Sequence, residues 1–306
     1  MVHLDWIGRG EAMRLAESQP QRNLQRIPKL SSGVGDSVNA VIQGDNLQVM
    51  TALTPSLQGR VDLAFLDPPY NATHERWFYP DRVRDWYGTL VGAEGEDPLR
   101  HDKWMSMMYP RFVLLRVLLA RSGALFVTLD DHEAHHARVL LDEIFGSENF
   151  LANVIWEKAR TPEDSASHFL ETHTHLITYA KDATIWRPNP SADKMRTIWS
   201  AADAGETQEA EVVEPRGPGP AYPFVPKPVK LLRRILQVAT DREALVFDPF
   251  AGSGTTGRAV LDQNMSDGGV RTFVLIEAGE KARTVIPRRL AETPDESPGY
   301  DFYALA

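Results

Sequence analysis

Two short segments carry residues whose types and spacing suit chemistry on an amino nitrogen. In residues 61–71, VDLAFLDPPYN, Asp67 and Tyr70 bracket Pro68 and Pro69. An amino group conjugated to a heteroaromatic ring is a poor nucleophile, because its lone pair is delocalised into the ring. A carboxylate at Asp67 and the carbonyl of Pro68, each accepting one amino hydrogen, would draw that nitrogen towards tetrahedral geometry and aim its lone pair at a methyl donor. The prolines fix φ and bring no N–H, so the carbonyls there lack competing local donors. Tyr70 offers a face on which an extruded base can stack. The competing interpretation is a proline-stiffened turn with an incidental tyrosine.

The second segment, ALVFDPFAGSGTT at residues 244–256, lies about 180 residues further on. Its apolar run breaks into Gly252 and Gly254, which permit a tight turn and close backbone approach to a ligand, and Thr255 and Thr256 open a helix. A glycine-rich turn alone is equally a tight strand-to-helix connection. Support comes from residues 272–276, another apolar strand, with Glu277 at its end. That offset, about 20 residues, is where an acidic residue accepts ribose hydroxyls.

These loops need a scaffold that holds strand ends side by side. Apolar runs that stop at Pro or Gly are suited to buried parallel strands, and open α/β sheets bind ligands at the carboxyl ends of such strands. A polar lead-in covers residues 1–36. Strand 38–43, a helix spaced by Leu47, Met50 and Leu53, and the first loop follow. Further on, helix 103–120, strand 124–129, helix 133–145 and strand 150–156 are expected. The division implied is a catalytic half at 37–181, a linker region at 182–222 and a cofactor-binding half at 223–306. Residues 299–305 suit a closing edge strand. Between the first loop and residue 102, Trp77, Phe78, Tyr79, Trp86 and Tyr87 suit either a stacking surface or a packed mini-core. His132, His135 and His136 include an i, i+4 pair, but they lack an accompanying zincin-type glutamate pattern and are expected as exposed helix histidines, with no metal site.

Composition narrows the class. The 306 residues, 42% hydrophobic, suffice for a full α/β core. With no long apolar run and no basic leader, no membrane or export route is expected, which is compatible with the cytoplasm. The absence of cysteine excludes disulfides, thiolate zinc ligation and a cysteine nucleophile. The 33 basic and 42 acidic side chains give a formal net charge of −9, which sits uneasily with nucleic-acid binding through phosphates. Arg233-Arg234 and Arg288-Arg289 are the basic pairs at hand, expected mainly on solvated helix faces.

The chain resembles DNA amino-methyltransferases of the β group, in which a DPPY motif precedes an FxGxG motif. Within that group it is similar to the modification subunits of type III restriction systems. The resemblance extends to IQGDNLQVMTAL, EGEDPLRHDKWMSMMYPRFVLL, GALFVTLDDHE, LLDEIFGSENFLANVIWEK and KPVKLLRRIL, in family order. It implies a Rossmann-like S-adenosylmethionine-dependent methyltransferase fold, with a mostly parallel, seven-stranded-type sheet flanked by helices. By resemblance, Asp67, Pro68, Pro69 and Tyr70 form the catalytic motif. Phe250, Ala251, Gly252, Ser253, Gly254 and Thr255 form the loop around the cofactor's methionine portion, Asp248 contacts its amino group, and Glu277 holds its ribose. Asp45 and Asn46 close over the cofactor, and Lys227 partners its carboxylate.

The implied reaction is methyl transfer to adenine N6 in double-stranded DNA. A homodimer and a restriction subunit are the implied partners. Cytosine N4, an RNA base, or a non-catalytic DNA-binding assembly subunit are the rival readings. One departure stands out: the family's long target-recognition insertion is shortened here to about fifteen residues around 183–195.

Overall fold

The structure is a computed structural model that describes residues 4–33, 37–71, 98–158, 172–189, 195–206, 226–292 and 298–306. In chain order the described elements begin with helix α1 (Arg9–Glu17), strands β1 (Leu24–Arg26) and β2 (Ala40–Gln43), helix α2 (Asn46–Leu57) and strand β3 (Val61–Leu66). Helix α3 (Arg100–Leu118), β4 (Leu119–Leu129), α4 (Ala134–Phe145), β5 (Phe150–Glu157) and β6 (His173–Ala180) follow. The chain continues through β7 (Ile198–Trp199), α5 (Ala201–Ala204), α6 (Val229–Ala239), β8 (Leu245–Asp248) and α7 (Thr255–Asp267). It ends with β9 (Thr272–Glu277), α8 (Lys281–Thr284), α9 (Ile286–Ala291) and β10 (Asp301–Leu305).

All ten strands form one sheet in the order β1-β10-β2-β9-β8-β3-β4-β6-β5-β7. From β10 to β4 every neighbouring pair is parallel. Beyond β4 the sense reverses, since β6 lies antiparallel to both β4 and β5. The central strands are apolar along their whole length because both faces are covered. On β3, Ala64 and Leu66 enter the core beneath α1–α4, while Leu63 and Phe65 enter the core beneath α6, α7 and α9. This alternation is the two-residue period of a strand read into two opposed cores.

Local sequence explains where the site-bearing helices start. Asp45 caps α2 by accepting a hydrogen bond from the Gln48 N–H at 3.1 Å. On α6, Leu231, Leu232, Ile235 and Leu236 are buried, and Lys230, Arg233, Arg234 and Gln237 occupy the opposite stripe. Helix α7 packs closely on the sheet because Gly257 has no side chain: a Cβ there would stand 2.9 Å from the Leu275 and Leu290 methyls.

The mostly parallel, seven-stranded-type sheet stands as expected, and among the described residues β1 and β10 at one end and β7 at the other extend it to ten strands. Two expectations are revised. Strand β10 is not an edge strand. It lies between β2 and β1, because the chain's early residues return to cover it. The lead-in, expected as helical or irregular, therefore contributes the outermost strand besides its helix α1, and just before α1 it is fixed to α3 through a 2.9 Å hydrogen bond from Trp6 Nε1 to Ser106 Oγ.

The segment following the shortened insertion is likewise built into the fold. Strand β7 extends the sheet alongside β5, Trp199 is buried, and fully buried Trp156 donates from Nε1 to the Gly205 carbonyl at 3.0 Å. Replacing Trp156 with Ala should lower unfolding free energy by roughly 3–5 kcal/mol, the usual cost of deleting a buried large aromatic. Urea unfolding followed by fluorescence checks this, and a loss under about 1 kcal/mol would show that this edge is not part of the cooperative unit.

Candidate active site

Strands β3 and β8 are hydrogen-bonded parallel neighbours, with Leu63 opposite Val246 and Ala64 opposite Phe247. Their carboxyl ends therefore emerge side by side, bringing Asp67–Tyr70 and Asp248–Thr255 to one edge of the sheet. Strand β9, next to β8, delivers Glu277 to the same edge.

At the end of β3, the Asp67 carboxylate is held from two directions. Thr128 Oγ1, from the end of β4, donates to Asp67 Oδ1 at 2.7 Å, and Lys227 Nζ lies 2.7 Å from both carboxylate oxygens. The Lys227 ammonium also sits 4.9 Å from the centre of the Tyr70 ring. An N–H donor thus rests on Asp67 above an aromatic face. Burial, followed by the negative charge of Asp67, holds the Tyr70 hydroxyl well above its ordinary pKa, so it stays neutral. The Pro69 carbonyl accepts a 2.8 Å hydrogen bond from Nε1 of fully buried Trp104, which anchors the proline turn to α3.

The turn ends at Asn71, whose φ of 62° lies in the left-handed region, unusual for a residue other than glycine but accessible to asparagine. Its side chain donates to the Arg100 carbonyl at 3.1 Å and to the carboxylate of Glu133, which is fully buried. Glu133 also engages His101 Nδ1 at 2.7 Å and His136 Nδ1 at 2.9 Å. His132 instead meets Asp130 at 3.0 Å. The expectation of exposed helix histidines is therefore corrected for His132 and His136, which are half-buried and bonded to acids, while His135 is exposed. Among the described residues the i, i+4 pair does not converge; the groups that do are His101, Glu133 and His136, and Asp131, His173 and His175.

The glycine loop has the predicted turn. Gly252 and Gly254 adopt φ of 54° and 83°, and Gly254 leads directly into α7. Glu277 braces the loop: its carboxylate accepts the Gly252 N–H at 3.0 Å and the Gly279 N–H at 3.1 Å. Burial raises the Glu277 pKa against these two hydrogen bonds. Phe250 is half-exposed, whereas Ala251, Ser253 and Thr255 are buried beneath the loop, with the Ser253 and Thr255 hydroxyls 3.1 Å apart.

Asp248 is turned inward. Its carboxylate accepts from the Phe250 N–H at 2.9 Å and from the Thr256 hydroxyl, so it acts as a strut within the loop. The GDN turn is tied to the same loop from the other side. Asn46 Nδ2 donates to the Pro249 carbonyl at 2.8 Å, and Arg111 Nε donates to Asn46 Oδ1 at 2.6 Å while its Nη2 reaches Asp45 at 3.2 Å. Lys227 lies at the opposite side of the site, against Asp67.

Several supporting residues escaped the sequence reading. Thr128, Trp104 and Arg111 touch the loops from segments that the resemblance covers as whole blocks without giving these residues a role. The signal for Arg111 and Trp104 was an arginine and a tryptophan seven residues apart on a helix that is otherwise largely apolar. The basic pairs also behave differently from expectation: Arg289 is 5% exposed, and it lines a cavity together with Arg233 and Arg234. Trp77, Phe78, Tyr79, Trp86 and Tyr87 lie outside the described residues.

The fold and the two loops define a doubly wound α/β protein with paired ligand loops at the sheet's carboxyl edge. A family model described as DNA methylase (N6_N4_Mtase) matches residues 61–287, and the chain belongs to this family. Among curated relatives it is 25% identical to the StyLTI Mod subunit of a type III restriction-modification enzyme from Salmonella typhimurium, over 85% of this chain and 56% of that protein. It is 26% identical to the EcoP15I Mod subunit from Escherichia coli, over 61% of this chain and 32% of that protein. The chain thus spans about a third to just over half the length of these relatives. The Salmonella alignment runs over 365 positions, more than the 306 residues present here, so that protein carries inserted segments which this chain lacks.

Among solved structures, TTHA0409, a putative DNA modification methylase from Thermus thermophilus solved with S-adenosyl-L-methionine, aligns with a TM-score of 0.54 at 17% identity, covering 88% of this chain and all of that one. The cytosine-N4-specific PvuII DNA methyltransferase aligns with a TM-score of 0.55 at 13% identity, covering 87% of this chain and 92% of that one. These likenesses establish the fold.

Two outcomes follow from the site's electrostatics. Arg111→Met would leave the buried Asp45 carboxylate without its cation and should cost roughly 3–5 kcal/mol in denaturant unfolding, because a broken buried pair strands a charge. Burial, aided by the charges of Asp67 and Glu277, pushes the Asp248 carboxyl up to about 7. The folded value stands above the unfolded carboxylate value of about 4, so the group's stabilising contribution is complete below the unfolded pKa and lost as pH rises through the folded one. Unfolding free energies measured from about pH 4 to 8 should therefore fall less steeply in Asp248→Asn than in the wild type; identical slopes would refute the assignment.

Proposed function

We propose that this chain is an S-adenosylmethionine-dependent DNA methyltransferase acting on the N6 amino group of adenine. The observation that carries this reading is the placement of Asp67, beside Tyr70, on the strand next to the one that bears the Gly252–Gly254 loop. An amino acceptor site and a cofactor loop then share one sheet edge. Family membership and the Mod relatives support the same reading, and so does the S-adenosylmethionine-bound neighbour of like fold.

The donor set suits this cofactor. A half-buried carboxylate at Glu277, held by two backbone N–H groups, leaves acceptor capacity for ribose hydroxyls. Half-exposed Phe250 beside the tight turn at two left-handed glycines suits an apolar cradle. Asn46, bonded to the Pro249 carbonyl, holds the far wall. When bound, the cofactor supplies an electrophilic methyl on a sulfonium.

The chain's own residues do the rest. Asp67 accepts one hydrogen of the incoming amino group, the Pro68 carbonyl accepts the other, and the nitrogen's lone pair is freed from the ring. Tyr70, neutral and anchored, stacks on the base. Lys227 now occupies the place of that amino donor, so it must move aside when a base enters; its ammonium then lies close enough to take up an anionic group nearby. Thr128 keeps Asp67 oriented throughout through its 2.7 Å hydrogen bond. The DPPY form of the motif favours adenine N6, and cytosine N4 is the alternative that the PvuII neighbour keeps in view. Work as a subunit of a restriction-modification enzyme extends to this chain the setting named for the Mod relatives; action on duplex DNA, a restriction subunit and a homodimer come from the family resemblance. Among the described residues, no helix is long and apolar enough to cross a membrane.

Methyl transfer from tritiated S-adenosylmethionine to mixed-sequence duplex DNA, followed by nucleoside analysis, tests the proposal. Label should appear in N6-methyladenine and fall by roughly 10²–10³-fold or more in Asp67→Ala, with cofactor affinity retained, as expected for removal of a positioned polar group. Label in N4-methylcytosine would replace adenine by cytosine, and retained activity in Asp67→Ala would remove Asp67 from catalysis. Gly252→Ala, forced into a left-handed conformation, should instead weaken cofactor binding by about tenfold, an outcome read by calorimetry, since αL costs an L-residue roughly 1–2 kcal/mol.

A further inference from the structure

A cavity of about 800 Å³ opens beside the catalytic carboxylate, between α6, α7 and α9. Lys227 belongs to its lining and also touches Asp67, so a single side chain links the cavity wall to the amino-acceptor site. Its walls are basic in a chain of net charge −9. Helix α6 contributes Lys230, Arg233 and Arg234 from its solvent-side stripe, and α7 and α9 contribute Arg258 and Arg289 from across the cavity.

The acids on its rim are already engaged. Glu292 pairs with Arg258 at 3.2 Å, and Asp203 caps the start of α5 through Ser200. Arg289 is not satisfied in this way. It is 5% exposed, and its buried Nε and Nη2 atoms have no hydrogen-bond partner among the described residues. A buried guanidinium with open donors is costly, and as a lining residue Arg289 adds its permanent charge to the cavity wall, where it favours an anion.

On the reading that the chain methylates DNA, we infer that this cavity is a phosphate site, in which Lys230, Arg233 and Arg289 hold the backbone of the strand whose base is presented to Asp67. The arrangement answers the charge problem: a chain acidic overall concentrates cations where the strand must be bent away from its partner. Phosphate contacts position the strand and read no sequence. The site therefore adds grip close to the flipped nucleotide and is independent of the shortened recognition region. Lys227, released from Asp67 when a base enters, stands at the mouth of the same cavity.

The test compares the wild type with Lys230→Gln/Arg233→Gln and with Arg289→Lys. The double variant changes only residues on the solvent-side stripe of α6, and Arg289→Lys keeps the charge while removing the fork. Binding of a fluorescent duplex of about 20 base pairs is measured by anisotropy across a salt series, with S-adenosylmethionine affinity and thermal unfolding as controls. Each lost phosphate contact lowers the salt slope by about 0.9. The double variant should therefore lose between one and two such units and bind roughly tenfold or more weakly at low salt, with cofactor affinity unchanged. Arg289→Lys should weaken DNA binding with the salt slope nearly retained.

A wild type that methylates DNA, together with a double variant of unchanged slope and affinity, would overturn the phosphate site and leave the methyltransferase reading standing. A wild type that binds S-adenosylmethionine and transfers no methyl to any duplex would overturn the reading on which the site rests. Inorganic phosphate supplies a third arm. If it raises the unfolding temperature of the wild type and not of the double variant, while DNA slopes coincide, the cavity takes a free anion and the DNA assignment is wrong.

Discussion

The pairing of β3 with β8 is the constraint on which the rest of this structure depends. These strands come from parts of the chain about 180 residues apart, and they run parallel with Leu63 opposite Val246. A shift of one residue would turn Leu63 and Phe65 into the opposite core and withdraw Asp67 from the glycine loop. A further contact strengthens the register, since Asp62 accepts the Leu245 N–H at 2.8 Å at the start of the pair. Burial raises the pKa of that half-buried carboxyl against the same hydrogen bond.

Around this junction the protein uses its buried polar groups to hold loops rather than to line a core. Arg111, 1% exposed, ties Asp45 and Asn46 together, and Asn46 in turn holds the Pro249 carbonyl. Glu277 and Asp248 each accept backbone N–H groups of the glycine loop. At the proline turn, Trp104 Nε1 donates to the Pro69 carbonyl and the buried Glu133 carboxylate accepts from the Asn71 side-chain amide. Each loop is thus fixed from both sides by side chains belonging to other elements. Such bracing suits the proposed reaction, because a loop free to move would lose the orientation that a near-attack geometry needs.

Charge is distributed with the same selectivity. Acidic side chains outnumber basic ones overall, yet α6 gathers its cations on a single stripe facing Arg258 and Arg289. The field that a polyanion meets at that edge is consequently opposite in sign to the molecule's net charge. Net charge therefore describes the whole surface poorly here, and the local arrangement decides what can approach the site.

Much of this protein was legible in the residues themselves. The apolar runs ending in Pro or Gly located β3 and β8, the acid after a third such run located Glu277, and leucine spacing located α2; all are short-range patterns set by strand and helix periodicity. The two loops, and the family they belong to, were visible for the same reason, since a tight turn or a stacking face demands particular residues in immediate succession. Tertiary structure alone decided what meets what. Lys227 lies against Asp67, although they are 160 residues apart; Thr128 and Trp104 support the proline turn from other elements; and two arginine pairs that look like solvated helix faces yield three of the guanidinium groups around one cavity. Strand β10 became an interior strand because β1 returned to cover it. These outcomes follow from long-range packing and registry, which depend on every element at once, so no window of sequence contains them.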